Sequence, residues 1–212
     1  MCDFDGTITV QDTAEWLLDK HAEGDWRALD TQYVRGEIDL LECMRRQFSM
    51  ISSSQDQMLS ELEYAISVRA GFAEMVGSCS DKGAEVFIVS AGLDFVIQSF
   101  MRRLGVHSKV SVHSASTVVE DGRISIRFPS LAMSGSISFK DDIVRQKKAA
   151  GMSVVYIGDG VPDLEASALA DHRFAVAGRR LESGLRARGL PFLSFNDFYE
   201  ILPEIEEILD PD

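Results

Sequence analysis

Asp3-Phe4-Asp5-Gly6-Thr7-Ile8-Thr9 is the stretch on which the fold turns. Its two carboxylates stand at alternate positions, which share one face of an ideal strand, and the glycine that follows lets the chain leave the sheet. The next strongly apolar strand, Glu85-Val86-Phe87-Ile88-Val89, comes only after a long polar and amphipathic interval. A strand-helix-strand crossover takes about 30 residues, and the interval from Thr9 is more than twice that, so a subdomain is inserted. Its segments carry helical periodicity over Thr13 to Lys20, Ile38 to Phe48 and Gln57 to Ile66, with Ser52-Ser53-Ser54 as a break able to cap the third. The expected division is a small helical cap over residues 12–70 and an α/β core over residues 1–11 and 71–212.

From Gly71 onward helices and strands alternate, which predicts a parallel sheet. A helix from Phe72 to about Ser80 leads into the strand ending at Ser90, and a second runs from Phe95 to Leu104. Alternating β-branched residues on either side of Glu120-Asp121-Gly122 predict a hairpin between Lys109 and Phe128. Helix Asp141 to Ala150 feeds the strand Val154 to Ile157. A short strand near Phe174 to Val176 and helices near Leu181 to Arg188 and Phe198 to Leu209 complete the chain. The first strand, Cys2-Asp3-Phe4, is short beside a typical five or six residues.

The composition narrows the partners. A formal net charge of −13, from 21 basic and 34 acidic side chains, with no basic patch, argues against nucleic acid and against an acidic membrane surface. No apolar run reaches the ~20 residues of a bilayer span. Cys2, Cys43 and Cys79 form neither a metal-binding pair nor an even disulfide set, which points to the cytoplasm. At this length, folding buries roughly 70% of the unfolded surface, enough for a core without staples.

In an open parallel sheet, residues just after the strands converge on one edge. Asp3 and Asp5, Ser90-Ala91-Gly92, and Asp159 with Asp163 all follow apolar strands, and Lys140 adds a cation at the start of a helix. Clustered carboxylates need a cation between them, and an oxygen-rich site with one or two carboxylates suits Mg²⁺. The expectation is a Mg²⁺ phosphate site, with Ser90 donating to a phosphoryl oxygen and Lys140 balancing its charge. Plainer readings stand beside it: Ser90 as a helix N-cap, Lys140 as a surface lysine, and Asp163 as a first-turn carboxylate favoured by its helix dipole. Trp16, Met44, Phe48 and Met50 read as cap core or as substrate pocket.

Taken together, the Asp3 to Thr9 stretch, Ile88 to Gly92, Lys140, and Gly158-Asp159-Gly160-Val161-Pro162-Asp163 resemble, in order, the four motifs of the haloacid dehalogenase superfamily of phosphohydrolases. The layout is that of phosphoserine phosphatases. The Asp3 to Thr9 run with Asp12, Gly71-Phe72, Ser90 to Phe95, Tyr156 to Ala166 and Asn196 to Ile201 are most similar to the methionine-salvage phosphatases acting on 2-hydroxy-3-keto-5-methylthiopentenyl-1-phosphate. The resemblance implies a Rossmann-like core and a small phosphate ester as substrate, with a homodimer allowed. It implies Asp3 as nucleophile forming an aspartyl-phosphate, Asp5 as general acid and base, and Ser90 and Lys140 on the phosphoryl group. The metal ligands would be Asp3, Asp159 and the Asp5 main-chain carbonyl, with Asp163 in support. Thr7, Asp12, Ala91, Gly92 and Arg46 would face the substrate. Gln47 stands where phosphoserine phosphatases carry an arginine, and their carboxylate clamp is therefore incomplete. A phosphotransferase, or a phospho-accepting regulatory module, would use the same residues.

Overall fold

The computed structural model describes residues 1–120 and 123–210. Its centre is a parallel sheet assembled from distant pieces of chain. Strand β1 (Val86–Leu93) pairs in parallel with β2 (Val110–Glu120), and β4 (Val155–Gly158) with β5 (His172–Val176), which pairs in turn with β6 (Leu193–Phe195). Cys2 joins the two halves through single parallel bridges to Ile88 and Ile157. Its neighbourhood is fully laddered: the Cys2 amide donates to Phe87 O, Asp3 to Ile157 O, and Val89 to Cys2 O, at 2.8–2.9 Å. Residues 1–3 thus form a wedge in the middle of the sheet, with Cys2 and Asp3 buried.

Strand β2 has two partners. Its first half lies along β1, and from Ser116 it turns to an antiparallel pairing with β3 (Arg123–Arg127). The Asp121-Gly122 turn expected for this hairpin lies outside the described residues. Helices α5 (Phe72–Asp81), α6 (Asp94–Arg103), α7 (Phe139–Ala149), α8 (Leu164–Leu169), α9 (Arg180–Ala187) and α10 (Phe198–Leu209) come from the core segment. Before them come α1 (Thr13–His21), α2 (Arg27–Val34), α3 (Leu40–Phe48) and α4 (Gln55–Ala65). Each expected helix of this insertion is present, and α2 is additional. Asp12, Asp39 and Ser54 cap α1, α3 and α4 by accepting the amides of Glu15, Glu42 and Gln57.

The chain enters and leaves the helical insertion side by side. Thr9 bridges Val68 antiparallel, the Val10 amide donates to Ser67 O at 2.9 Å, and the Arg69 amide donates to Ile8 O at 2.8 Å. Apolar packing is continuous across this junction: Leu17, Phe48, Met58 and Leu62 from the insertion belong to the same buried cluster as Phe4, Ile88 and Phe100. Among the described residues no helix is long and apolar enough to cross a membrane.

Candidate active site

Every site residue expected at a strand end sits at the carboxyl edge of the sheet. Asp3 is the last residue of the central wedge. After it the chain coils through a tight turn, Phe4–Ile8, closed by the Thr9 amide donating to Phe4 O. Gly6 makes the turn feasible: its φ is +77°, and a Cβ there would lie 2.4 Å from Asp159 Oδ2. The backbone after Asp5 is therefore pressed onto the Asp159 carboxylate. Arg69, where the chain returns from the insertion, holds this turn from outside. Its guanidinium donates to the carbonyls of Gly6 and Thr7, each at 2.9 Å, and of Asn196 at 2.6 Å.

Lys140 is the second residue of α7, whose start is fixed by a capping box between Ser138 and Asp141. Its ammonium is buried and donates to Asp3 Oδ1 at 2.7 Å and Asp163 Oδ1 at 2.6 Å. Asp163 spends both oxygens on protein donors. Oδ1 also accepts from Tyr156 Oη at 2.9 Å, and Oδ2 accepts the amides of Asp159 at 3.1 Å and Gly160 at 2.9 Å. Asp163 thus shapes the Gly158-Asp159-Gly160 loop and anchors Lys140, a larger part than a first-turn carboxylate plays.

Asp5 points away from this trio. Its Oδ1 accepts from both the amide and the hydroxyl of Thr13, at 2.7 and 2.6 Å, so the first turn of α1 reaches down to hold it. Its Oδ2 faces Gly92, where a Cβ would lie 2.6 Å away. Ser90, fully buried, accepts the Gly92 amide at 3.0 Å, which leaves its own proton for another acceptor. It does not cap a helix, because β1 continues to Leu93 and α6 begins after it.

Burial raises the proton affinity of these carboxyls. Asp3 is held well above the usual carboxylate range by desolvation and by the nearby Asp163 charge, with Lys140 pulling the other way. Asp5 is pushed up to about 7 by desolvation and then by Asp12, opposed by the Thr13 hydrogen bonds. Asp159 is pushed up to about 6 by desolvation and by Asp163. Lys140 is raised despite its own burial, because Asp163 and Asp3 more than offset the desolvation. Such a cluster has an excess of negative charge that one lysine does not neutralise.

One carboxylate oxygen from each of Asp3, Asp159 and Asp163 lies within 4.8 Å of the others. Both Asp163 oxygens and one Asp3 oxygen are already taken by protein donors. What remains for a cation is the second Asp3 oxygen and the Asp159 carboxylate, the latter met among the described residues only by the Thr7 hydroxyl at 3.4 Å. Two carboxylates with room for water fit the coordination habit of Mg²⁺.

Above the cluster opens a cavity of about 950 Å³ between the sheet edge and the inserted helices. Asp12, Ala91 and Gly92 line it as expected, beside Asp3, Asp5, Ser90 and Lys140. Thr7 does not; it is fully buried and turned to Asp159. Arg46 does not either: it is exposed and donates to Gln32 Oε1 at 3.2 Å, while Gln47, one residue on and a quarter-turn round α3, takes the inward place. Trp16 and Met44 line the cavity, whereas Phe48 is buried in the packing beneath. The sequence reading missed Thr13, Arg69, Tyr156, Arg179 and Arg180. For Tyr156 a signal existed, since a tyrosine inside an apolar strand needs a partner for its hydroxyl.

The model of the haloacid dehalogenase-like hydrolases matches residues 1–168. The chain belongs to that family. A 2-hydroxy-3-keto-5-methylthiopentenyl-1-phosphate phosphatase of Brevibacillus brevis is 27% identical to this hydrolase over 212 aligned residues, covering 98% of this chain and 94% of the relative. Pdp3-interacting factor 1 of Schizosaccharomyces pombe is 26% identical and covers 97% of this chain and 93% of its own length. Among solved structures, a substrate-bound phosphoserine phosphatase superposes with a TM-score of 0.70 over 96% of this chain and 95% of that one, at 18% identity. A phospho-aspartyl intermediate analogue of phosphoserine phosphatase gives 0.69 at 19% identity, over 96% of each chain. These two likenesses establish the shared α/β fold.

Proposed function

We propose that this hydrolase is a Mg²⁺-dependent phosphomonoesterase of small metabolites, working through a phosphoryl group carried transiently on Asp3. The observation that carries the reading is the Asp3 carboxylate: one oxygen is fixed by Lys140 at 2.7 Å, the other has no hydrogen-bond donor among the described residues, and the residue lines the cavity beside Asp159. A carboxylate pinned this way is oriented for in-line attack at little entropic cost.

The free Asp3 oxygen attacks phosphorus while the bond from phosphorus to the ester oxygen breaks, and Asp5 gives a proton to the departing alkoxide. Water then attacks the same phosphorus, Asp5 takes one of its protons, and the bond to Asp3 breaks to release inorganic phosphate. Ser90 donates its hydroxyl to a phosphoryl oxygen, and the Lys140 charge offsets what develops there. Asp3, Asp159 and the Asp5 main-chain carbonyl would hold Mg²⁺, which would add positive charge to offset that of the phosphoryl oxygens. Thr13 ties Asp5 to α1, so residues 12–70 act as a cap whose seating aims the proton donor over a core formed by 1–11 and 71–212. The Brevibacillus brevis relative is named for a methionine-salvage phosphate, and Trp16 and Met44 offer the apolar contact that a thioether tail would use. The three cysteines are free and buried, which suits a reducing cytoplasm.

Asp3→Asn is expected to remove p-nitrophenyl phosphate hydrolysis while leaving the circular-dichroism spectrum and melting curve in place. EDTA is expected to stop the wild-type enzyme and Mg²⁺ to restore it. Full turnover in the variant, or in metal-free wild type, overturns the reading.

A further inference from the structure

The cavity is electrically lopsided. Its lining cations are Lys140, Arg179 and Arg180, all from the core segment, and Lys140 is spent on Asp3 and Asp163. The inserted helices contribute Asp12, Glu15, Asp19 and Asp30 and, among the described residues, no lining cation. Asp19 is matched by Arg27 and by the Trp26 indole N–H at 3.0 Å. Asp30 forms no salt bridge among the described residues, and Arg27 acts on it only at longer range. Its Oδ1 accepts from the Gln47 amide nitrogen at 2.7 Å and lies 3.8 Å from Cys43 Sγ; among the described residues its Oδ2 has no hydrogen-bond donor. Gln47 is only 6% exposed, and it gives both its hydrogen bonds away, to Asp30 and to Trp26 O at 3.4 Å. Its Oε1 accepts nothing from the described protein groups. The amide orientation is locked by those donations, so what Asp30 and Gln47 have left to offer a ligand is acceptor oxygens.

Around this floor stand Trp16, Trp26, Leu40 and Met44. We propose that the cap end of the cavity, built on Asp30 and Gln47, receives a hydrogen-bond-donating, non-anionic group of the substrate, a hydroxyl or an ammonium carried on apolar carbon, and rejects a distal carboxylate. The proposal rests on the phosphatase reading above and specifies which phosphate esters that site accepts. A carboxylate placed against Asp30 and Gln47 Oε1 meets two acceptors and a like charge, while a donor satisfies both. Bidentate recognition of a carboxylate takes an arginine, and Arg46, the nearest on α3, is turned outward to Gln32.

The test compares three substrates on one enzyme preparation: p-nitrophenyl phosphate, ethanolamine phosphate and 2-phosphoglycolate. The wild type is expected to favour ethanolamine phosphate over 2-phosphoglycolate by at least about tenfold in kcat/KM. In Asp30→Asn that ratio is expected to fall toward one, and in Gln47→Arg to fall below one. A ratio is independent of how much of each variant is folded. Equal or faster turnover of 2-phosphoglycolate by a wild type that hydrolyses p-nitrophenyl phosphate overturns this inference and leaves the phosphatase reading standing. Failure on all three substrates with Mg²⁺ overturns the reading itself.

Discussion

The two ends of the one cavity are built on different terms. At the core end Asp3, Lys140, Asp163 and Tyr156 come from four places in the chain, and each side chain is hydrogen-bonded to at least one of the others. At the cap end Asp30 and Gln47 sit on neighbouring helices and, among the described residues, leave an oxygen each without a donor. Closed networks fix geometry, and open ones leave room for a ligand to complete them. On the proposed reading, the first end carries the chemistry and the second the choice of substrate.

That contrast breaks most visibly at Lys140. Lys140→Met leaves two buried carboxylates facing each other, and a destabilisation of about 3–5 kcal/mol is expected in urea unfolding, together with loss of turnover. A stable, active Lys140→Met protein would mean that the core network is not closed as described. Gly6→Ala comes next. The backbone there costs about 1–2 kcal/mol for a residue with a Cβ. The new methyl must also displace Asp159, so turnover should fall by about a hundredfold and half-saturation by Mg²⁺ should rise. Arg69→Lys is the mildest: a lysine cannot span the three carbonyls, and a loss of about 1 kcal/mol in stability is expected. Its activity should drop a few-fold in kcat with KM little changed, because Arg69 touches the turn and not the substrate.

Why some of this was legible in sequence follows from where each residue sits. Ser90 and Asp159 announce themselves because each follows an apolar run, Asp3 because it opens the Asp3 to Thr9 motif, and strand ends in a parallel sheet meet whatever the distance along the chain. Lys140 has no such run before it, and its place depends on the family's motif order and on the Ser138–Asp141 capping box. Helix α2 was invisible because only Leu29 of its residues is buried, so it lacks an apolar stripe. Strand β6, three residues long with two of them exposed, offers no alternation to read. The turn of Arg46 outward and Gln47 inward is decided by the register of α3 against α2, where Asp30 waits, and local sequence does not encode that register.

The wedge of residues 1–3 has a kinetic meaning as well. The Met1 amine donates to Val155 O across a separation of 154 residues, and the Cys2 amide to Phe87 O. That tripeptide can dock only once strands β1 and β4 already lie apart at the right spacing, which places its closure late among long-range pairings. Asp3 rides on it. A half-assembled molecule therefore holds no positioned nucleophile, and recovery of catalysis after dilution from denaturant should trail the recovery of helical signal.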